Sequence, residues 1–264
     1  MQDPNRWLAV AIVVCGLAAG FYFWLWGAKE APPAPPVARP EAAPKPEAKP
    51  APQIQFPVPQ ASESPSLPAL DQSDAVLRDM LASLAGQKNL EQLFNLQNLV
   101  RRIVATMDNL PREKVALRLM PVKPASGPFR VSGDAENRVI SADNAARYRL
   151  YVALAESMDT AKLVAAYVRY FPLFQQAYRE LGYPQGYFND RLVQVIDHLL
   201  ETPDIKGAVK LVQRKVLYEF ADGELEARSA GQKILMRIGP ENAARMKAKL
   251  RDLRRELIGQ PPKA

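Results

Sequence analysis

The side chains that could do chemistry are few in this sequence, and their types limit the reactions the chain can support. Its one histidine is His198, and its one cysteine, Cys15, lies in an apolar stretch near the N-terminus. These counts exclude a multi-histidine metal site, an internal disulfide and a cysteine nucleophile in the soluble part. Acid-base catalysis would fall to carboxylates, tyrosines or lysines. We therefore predict no cofactor and no metal site, and we interpret His198 as a partnered or surface residue.

One group of carboxylates is a candidate for catalysis. Glu219, Asp222 and Glu224 cluster around the aromatic residues Tyr218 and Phe220. Two facing carboxylates are the minimum that a glycoside hydrolase needs. A simpler interpretation is that Asp222 caps the helix that follows. The sequence leaves both interpretations open and favours the cap.

A loop rich in glycine and aromatic residues is a candidate interaction surface. Residues 182–189 combine two glycines and a proline with Tyr183, Tyr187 and Phe188, in a turn that should lie near the surface. The alternative is a hydrophobic staple onto the helix predicted for 190–201. In the preceding helix, four aromatic residues recur at helical spacing and are predicted to be core: Tyr167, Phe171, Phe174 and Tyr178.

The C-terminal helix predicted for 241–258 is the second candidate interaction surface. Its apolar residues share one face, and basic residues lie mostly around the others. The basic candidates are Arg245, Lys249, Arg251, Arg254 and Arg255. Such a surface suits acidic membranes or polymers. The alternative is a solvated amphipathic helix whose last arginines complement the helix dipole.

The net charge agrees with a basic domain. The chain carries a formal charge of +7, while residues 1–68 contribute five basic and five acidic residues. The excess therefore lies in the folded part. A basic balance favours anionic partners such as phospholipid headgroups, cell-wall polymers or nucleic acid. No recognisable nucleic-acid-binding motif is present, so nucleic acid is the least favoured of these.

A membrane anchor is predicted near the N-terminus. The stretch from Trp7 to Ala28 lacks charged residues and is long enough to cross a hydrocarbon layer of about 30 Å. It lacks a small-residue cleavage site, so we predict an uncleaved signal anchor rather than a signal peptide. Residues 1–6 form a short cytoplasmic tail in this interpretation. The charge bias alone does not decide the orientation.

A proline-rich spacer follows, which we predict to be a disordered linker over residues 29–68. It has 13 prolines between Ala31 and Pro68, mixed with alanine, lysine and glutamate. In polyproline II conformation such a chain could hold a domain up to about 100 Å from the bilayer. Whether the spacer binds anything itself is left open.

Residues 69–258 are predicted to form a mainly α, multi-helix globular domain with at most a short β-hairpin, followed by a disordered tail at 259–264. Helical patterns occupy 73–85, 90–107, 141–155, 159–181, 190–201, 222–238 and 241–258, and the step at residues 229–231 can interrupt the pattern over 222–238. Ser141 and Asp159 are predicted caps, and Pro240 suits the first turn of the last helix. The hairpin is predicted from two short segments, 129–131 and 138–140, which flank a turn signal at Gly133 and Asp134.

Several stretches of the domain resemble a known family. They are residues 67–74, 108–111, 218–222, 229–233 and 239–242. Together they resemble the domain of unknown function family 3014 of Gram-negative bacteria, over about residues 67–257. The resemblance implies an envelope protein with an N-terminal anchor. It implies no activity, cofactor or catalytic residue.

These observations favour a non-enzymatic, single-pass inner-membrane protein that presents a periplasmic domain to cell-wall polymer or another envelope protein. It would be an interaction or scaffold protein. The alternatives are a carboxylate-dependent periplasmic enzyme and a cytoplasm-facing domain that binds nucleic acid or anionic lipid.

Overall fold

The computed structural model describes residues 53–59, 67–214 and 216–259, which belong to one compact unit, Ala51–Ala264. The predicted tail 1–6 and the predicted anchor at Trp7 to Ala28 lie outside these ranges. Within the described ranges, no helix is both long and apolar enough to cross a membrane.

The described part of the chain is mainly helical, as the sequence predicts. Its helices are α1 (Asp74–Ala85), α2 (Gln87–Leu93), α3 (Leu99–Asn109), α4 (Arg149–Ser157), α5 (Thr160–Glu180), α6 (Phe188–Leu200), α7 (Gly223–Glu226), α8 (Ala230–Arg237) and α9 (Pro240–Ile258). Short 3-10 turns occupy Leu70–Gln72, Leu117–Leu119 and Ala142–Tyr148. The strands are β1 (Val131–Ser132), β2 (Val139–Ile140), β3 (Leu211–Val212) and β4 (Glu219–Phe220).

Helix starts follow the local signals of the sequence. The side chain of Asp159 accepts a hydrogen bond from Lys162 N at 2.8 Å at the start of α5. Asp222 caps α7, and Ser141 caps the 3-10 turn that leads into α4. Pro240 occupies the first turn of α9, where its missing N–H has no helical partner to lose. These caps confirm the predictions made from residue type and position.

The helix predicted over 90–107 is broken, which corrects the sequence analysis. The chain leaves the helix at Phe94, which pairs with Val122 in an antiparallel bridge, and restarts at Leu99. Asn98 adopts a left-handed conformation with φ of 51°, and Asp74 caps the new helix by accepting from Asn98 N and Leu99 N at 2.7 and 2.9 Å. The capping residue thus comes from α1.

The described residues contain two hairpins where at most one was predicted. The predicted hairpin pairs Val131 with Ile140. The second pairs Leu211 with Phe220, and a bridge between Val139 and Lys210 joins the two. Phe220 is 2% exposed in a cluster with Leu211 and Met236. Burial against α8 therefore stabilises strands too short to be recognised from alternation alone.

The core lies mainly between the long helices. α3 packs against α5 and α6, while α9 crosses α4, α5 and α6. The largest buried cluster joins residues from α1, α2, α3 and α5 with Phe188 at the start of α6. A smaller cluster lies between α5, α6 and the end of α9, around Val164, Val193 and Leu257. The sharp corner between α5 and α6 lies next to both clusters.

Candidate interaction site at the corner of α5 and α6

The corner between α5 and α6 is held from within the domain. Gln175, which is buried on α5, donates to Gly186 O at 2.8 Å and accepts from Phe188 N at 2.9 Å. Phe188 itself is 1% exposed and stacks on Phe174, with ring centroids 5.9 Å apart. The prediction of Phe188 as an interaction residue is therefore wrong, because its ring is part of the core.

The segment 53–59, which the sequence assigns to the linker, lies against this corner and bends at Gln55 and Phe56. Gln55 N and Phe56 N donate to the two carboxylate oxygens of Asp190, at 3.0 and 2.8 Å. Asn189 Nδ2 donates to Phe56 O at 2.8 Å, and Val58 N donates to the Tyr187 hydroxyl at 2.8 Å. This part of the predicted linker is therefore bound to the domain through its main chain.

One side chain of the segment enters the domain. Phe56 packs on the cluster formed by Val164, Val193, Ile196 and Leu257. Ile54, two residues earlier, remains 53% exposed. The segment is therefore held by main-chain hydrogen bonds and by a single aromatic anchor.

Aromatic residues of α5 fix the groups that hold the segment. The Tyr167 hydroxyl donates to Asn189 Oδ1 at 3.1 Å, which orients the Asn189 amide toward Phe56 O. Burial raises the pKa of the Tyr167 phenol well above its ordinary value, so it stays a donor at neutral pH. The Tyr187 ring packs on Phe171, with centroids 5.2 Å apart, and burial also raises its pKa. We call these residues, Tyr167, Phe171, Tyr187, Asn189 and Asp190, the tether groove.

Tyr183, the third aromatic candidate of the loop, is committed to a buried charge network. Its ring stacks on Tyr178 at 4.6 Å, and its hydroxyl donates to Asp108 Oδ2 at 3.2 Å. Asp108 is 2% exposed and is paired with Arg112 and Arg191. Tyr183 therefore donates a hydrogen bond to a buried carboxylate whose charge is balanced by Arg112 and Arg191, so its hydroxyl is used within the domain.

The basic residues of α9 are mostly used inside the domain. Lys249 is 8% exposed, and its ammonium donates to Met158 O and, at 2.8 Å, to Thr160 Oγ1. These acceptors lie where α4 ends and α5 begins, so Lys249 satisfies a free carbonyl at a helix end. The prediction of Lys249 as a surface residue is wrong for this reason.

The arginines of α9 are paired with carboxylates. Arg245 Nε donates to Glu156 Oε1 at 2.7 Å, Arg254 Nη2 to Asp197 Oδ2 at 3.1 Å, and Arg255 Nη2 to Asp252 Oδ1 at 2.5 Å. The hydrogen bond from Arg245 lowers the pKa of Glu156. Arg251 is exposed and forms no ion pair with any residue that the structure describes. The predicted basic face thus presents few unmatched charges.

A pocket of about 250 Å³ lies between the loop after α6 and the start of α9. Its walls are apolar except for Asp204, Lys247 and Arg251. Lys247 is 4% exposed and donates to Thr202 O and, at 2.6 Å, to Asp204 Oδ1, which lowers the pKa of Asp204. The buried cation of this pocket is therefore already satisfied within the domain.

The carboxylates considered for catalysis have separate structural contacts. Asp222 accepts from Glu224 N and Leu225 N as the cap of α7, and Glu219 pairs with Arg214 at 3.7 Å. The sequence analysis did not identify the more buried carboxylate of this region, Glu226. It accepts from Phe220 N at 2.8 Å and pairs with Lys233 at 3.0 Å.

His198 has a structural partner as well. Its Nε2 lies 2.8 Å from Ser229 Oγ, and its carbonyl oxygen accepts from Gln232 Nε2 at 3.0 Å. These contacts join α6 to the start of α8. Within the described ranges, no three His, Cys, Asp or Glu side chains are grouped so as to hold a metal ion.

The tether groove was missed by sequence reasoning, although a signal was present. Asn189 and Asp190 stand at the start of a helix, where both residue types are expected as caps. Phe56 is the only aromatic residue between Trp26 and Phe94, and Ile54, Phe56 and Val58 alternate in a spacer otherwise dominated by alanine and proline. An apolar alternation within a disordered composition marks a segment that can be bound.

The stretches that carried the family resemblance form structural contacts. In residues 229–233, Gly231 lies so close to Leu110 and Leu199 that a Cβ would come within 2.5 Å of the Leu199 side chain. In residues 239–242, Asn242 Nδ2 donates to Ala145 O at 3.0 Å and to Ile238 O at 2.9 Å. These residues hold separate elements together, which gives a physical reason for such motifs without a catalytic role.

The fold and the site together define a helical domain that holds a short peptide segment, residues 53–59, at a helix corner. Residues 99–254, more than half of the chain, match the model of a family described as protein of unknown function, DUF3014. The chain belongs to this family, as the resemblance implied. No curated protein and no solved structure matches it.

Proposed function

We propose that this chain is an envelope interaction protein, anchored in the inner membrane through Trp7 to Ala28, whose helical domain is a periplasmic binding module. The observation that supports this most directly is the tether groove. The domain holds a segment of its own chain through three side chains, Tyr187, Asn189 and Asp190, that bind the main chain of the segment. Main-chain hydrogen bonds are a common way for an interaction domain to bind a peptide.

The pairing of charges on α9 favours binding of a protein partner over a strong electrostatic attraction to an anionic polymer. The candidate cations on α9 are paired or buried, except that Arg251 is exposed and has no carboxylate partner among the described residues. Rim charges of this kind affect association rates more than affinity. Another envelope protein is therefore a better candidate partner than an anionic cell-wall polymer.

The location is tested first, by fusing two reporters separately to the C-terminus of the full chain. One reporter is active only in the periplasm and the other is fluorescent only in the cytoplasm. We expect activity from the first and no fluorescence from the second. The opposite result would discard the envelope function and favour a cytoplasmic partner.

The choice of partner is tested by co-sedimentation of the purified full chain with isolated cell-wall sacculi. We expect the chain to stay in the supernatant at physiological ionic strength. Sedimentation that is lost in high salt would instead identify the anionic polymer as the partner, because screening weakens contacts between exposed charges.

A further inference from the structure

We propose that the tether groove is a binding site for a short aromatic-proline segment, and that the chain's own residues 53–59 occupy it reversibly as a latch that sets the length of the tether. This inference rests on the proposed function in one respect, namely that the spacer connects the domain to an anchor. The evidence for the site itself is independent of where the domain resides.

The spacing of donors in the segment matches the groove. Two consecutive N–H groups, from Gln55 and Phe56, bind both oxygens of one carboxylate. The next residue is Pro57, which has no N–H, and the donor after it is Val58 N, which reaches the Tyr187 hydroxyl. Pro57 therefore lies between the two donor residues Phe56 and Val58, at a position where the groove needs no N–H.

The prolines also reduce the entropic cost of binding. Pro57 and Pro59 have fixed φ angles, and Phe56 precedes a proline, which restricts its backbone angles as well. A segment whose backbone angles are already restricted when free loses less conformational freedom on binding. This is the physical basis on which aromatic-proline segments would be selected over other stretches of the spacer.

The contacts are few enough for release. Phe56 is the only side chain of the segment that packs on the α5–α6–α9 cluster, and it is partly exposed. The Asp190, Asn189 and Tyr187 groups that bind the main chain of the segment are polar and would bind water after release. The apolar surface left by release is therefore limited to the contact of one side chain.

The consequence of release is a longer tether. The bound segment fixes the chain to the domain at residues 53–59, whereas after release the first residue that packs on the core is Leu67. At about 3.1 Å per residue, the stretch from residue 53 to residue 66 adds at most roughly 40 Å to the reach of the domain. Occupation of the groove thus decides how far the domain extends.

The test measures the position of the segment in the full chain, purified in detergent, by the distance between two spin labels. Cys15 is replaced by serine, and cysteines for labelling are introduced at Gln53 and Gln194, both of which are exposed. We expect a short, narrow distance distribution in this chain. Phe56→Ala should shift most of the population to long, broad distances, whereas the matched control Ile54→Ala should not, because Ile54 is largely exposed.

Reversibility is tested by adding a synthetic peptide with the sequence of residues 51–61 to the labelled chain. We expect the long-distance population to rise with peptide concentration, with a midpoint in the millimolar range typical of a short tether. The proposal is overturned if excess peptide leaves the distances short, since the segment would then be a fixed part of the fold. It is also overturned if Phe56→Ala and Ile54→Ala release the segment equally, or if the unmodified segment is already distant.

These outcomes are separable from those of the reporter fusions. A cytoplasmic domain with a displaceable segment would discard the proposed function and retain the latch. A periplasmic domain with an immovable segment would do the reverse.

Discussion

The corner between α5 and α6 and the C-terminal helix α9 both carry hydrogen-bonding side chains near the surface, but their partners differ. On α9, Arg245, Arg254 and Lys249 bind side chains or carbonyls of the domain itself. At the corner, Asn189 and Asp190 bind the main chain of a segment about 130 residues upstream.

This difference shows what makes a surface available for binding. A charged side chain on an amphipathic helix finds an opposite charge on a neighbouring helix, and its attraction for external ligands is largely neutralised. A carboxylate that accepts two consecutive backbone N–H groups can bind a chain of any sequence that presents them at this spacing, because backbone donors are independent of side-chain type.

The largest expected effect is the loss of stability when Phe188, the core residue of the corner, is truncated. Tyr187, which binds the segment 53–59, provides the comparison. Phe188→Ala should lower the free energy of unfolding by about 3–5 kcal/mol, because it leaves a cavity against Phe174 and Tyr178. Tyr187→Phe removes only the acceptor for Val58 N and should cost about 1 kcal/mol or less. Urea denaturation of both variants measures the difference. Equal losses would contradict the assignment of Phe188 to the core.

The next effect tests whether the cations of α9 are structural. Lys249→Met should lower the free energy of unfolding by about 1–3 kcal/mol, because Met158 O and Thr160 Oγ1 lose a charged donor in a buried position. Arg251→Met is the matched control on the same helix and should change it by less than about 0.5 kcal/mol. A larger loss in the control would mean that the exposed cation, not the buried one, stabilises the domain.

The smallest effect concerns pH and the carboxylates near β4. Burial opposes ionisation of Glu226, but hydrogen bonds from Phe220 N and Lys233 together lower its pKa. A pKa lowered by folding adds stability above the unfolded value of about 4.3, and this stability is lost as the pH falls through the folded value. Glu226→Gln should therefore cost about 1 kcal/mol at pH 7 and almost nothing at acidic pH.

Glu224→Gln is the control for this measurement, since the Glu224 carboxylate accepts no hydrogen bond from the residues that the structure describes. We expect its unfolding curve to follow that of the unsubstituted chain at both pH values. Thermal unfolding followed by circular dichroism is sufficient. A pH-independent loss in Glu226→Gln would show that packing, not charge, explains the role of Glu226.

Local signals predicted the helical elements well. Asp159, Asp222 and Pro240 mark helix starts because their effects act within one turn, on backbone groups of the same segment. The predicted hairpin at Val131 and Ile140 was confirmed for the same reason. The aromatic stripe of α5 was correctly assigned to the core at Phe174 and Tyr178.

The misassigned elements depend on partners that are distant in sequence. The break before α3 requires the Asp74 carboxylate from α1 and the bridge from Phe94 to Val122. The second hairpin requires burial of Phe220 against Met236. A pattern that spans one helix or strand does not include these distant partners. Apolar periodicity therefore predicted one continuous helix over 90–107 and gave no signal for the second hairpin.

The amino-acid sequence by itself determined the helical class of the domain, the family and the positions of most caps. It also fixed the counts of one cysteine and one histidine, which limit the available chemistry. These properties depend on composition and on contacts within a few residues. Only the tertiary structure decided that Phe188 is core and Lys249 buried, and that Asp190 binds the backbone at Gln55 and Phe56. The physical reason is that the partner of a polar group is set by which helices pack together, and that packing is a property of the whole chain.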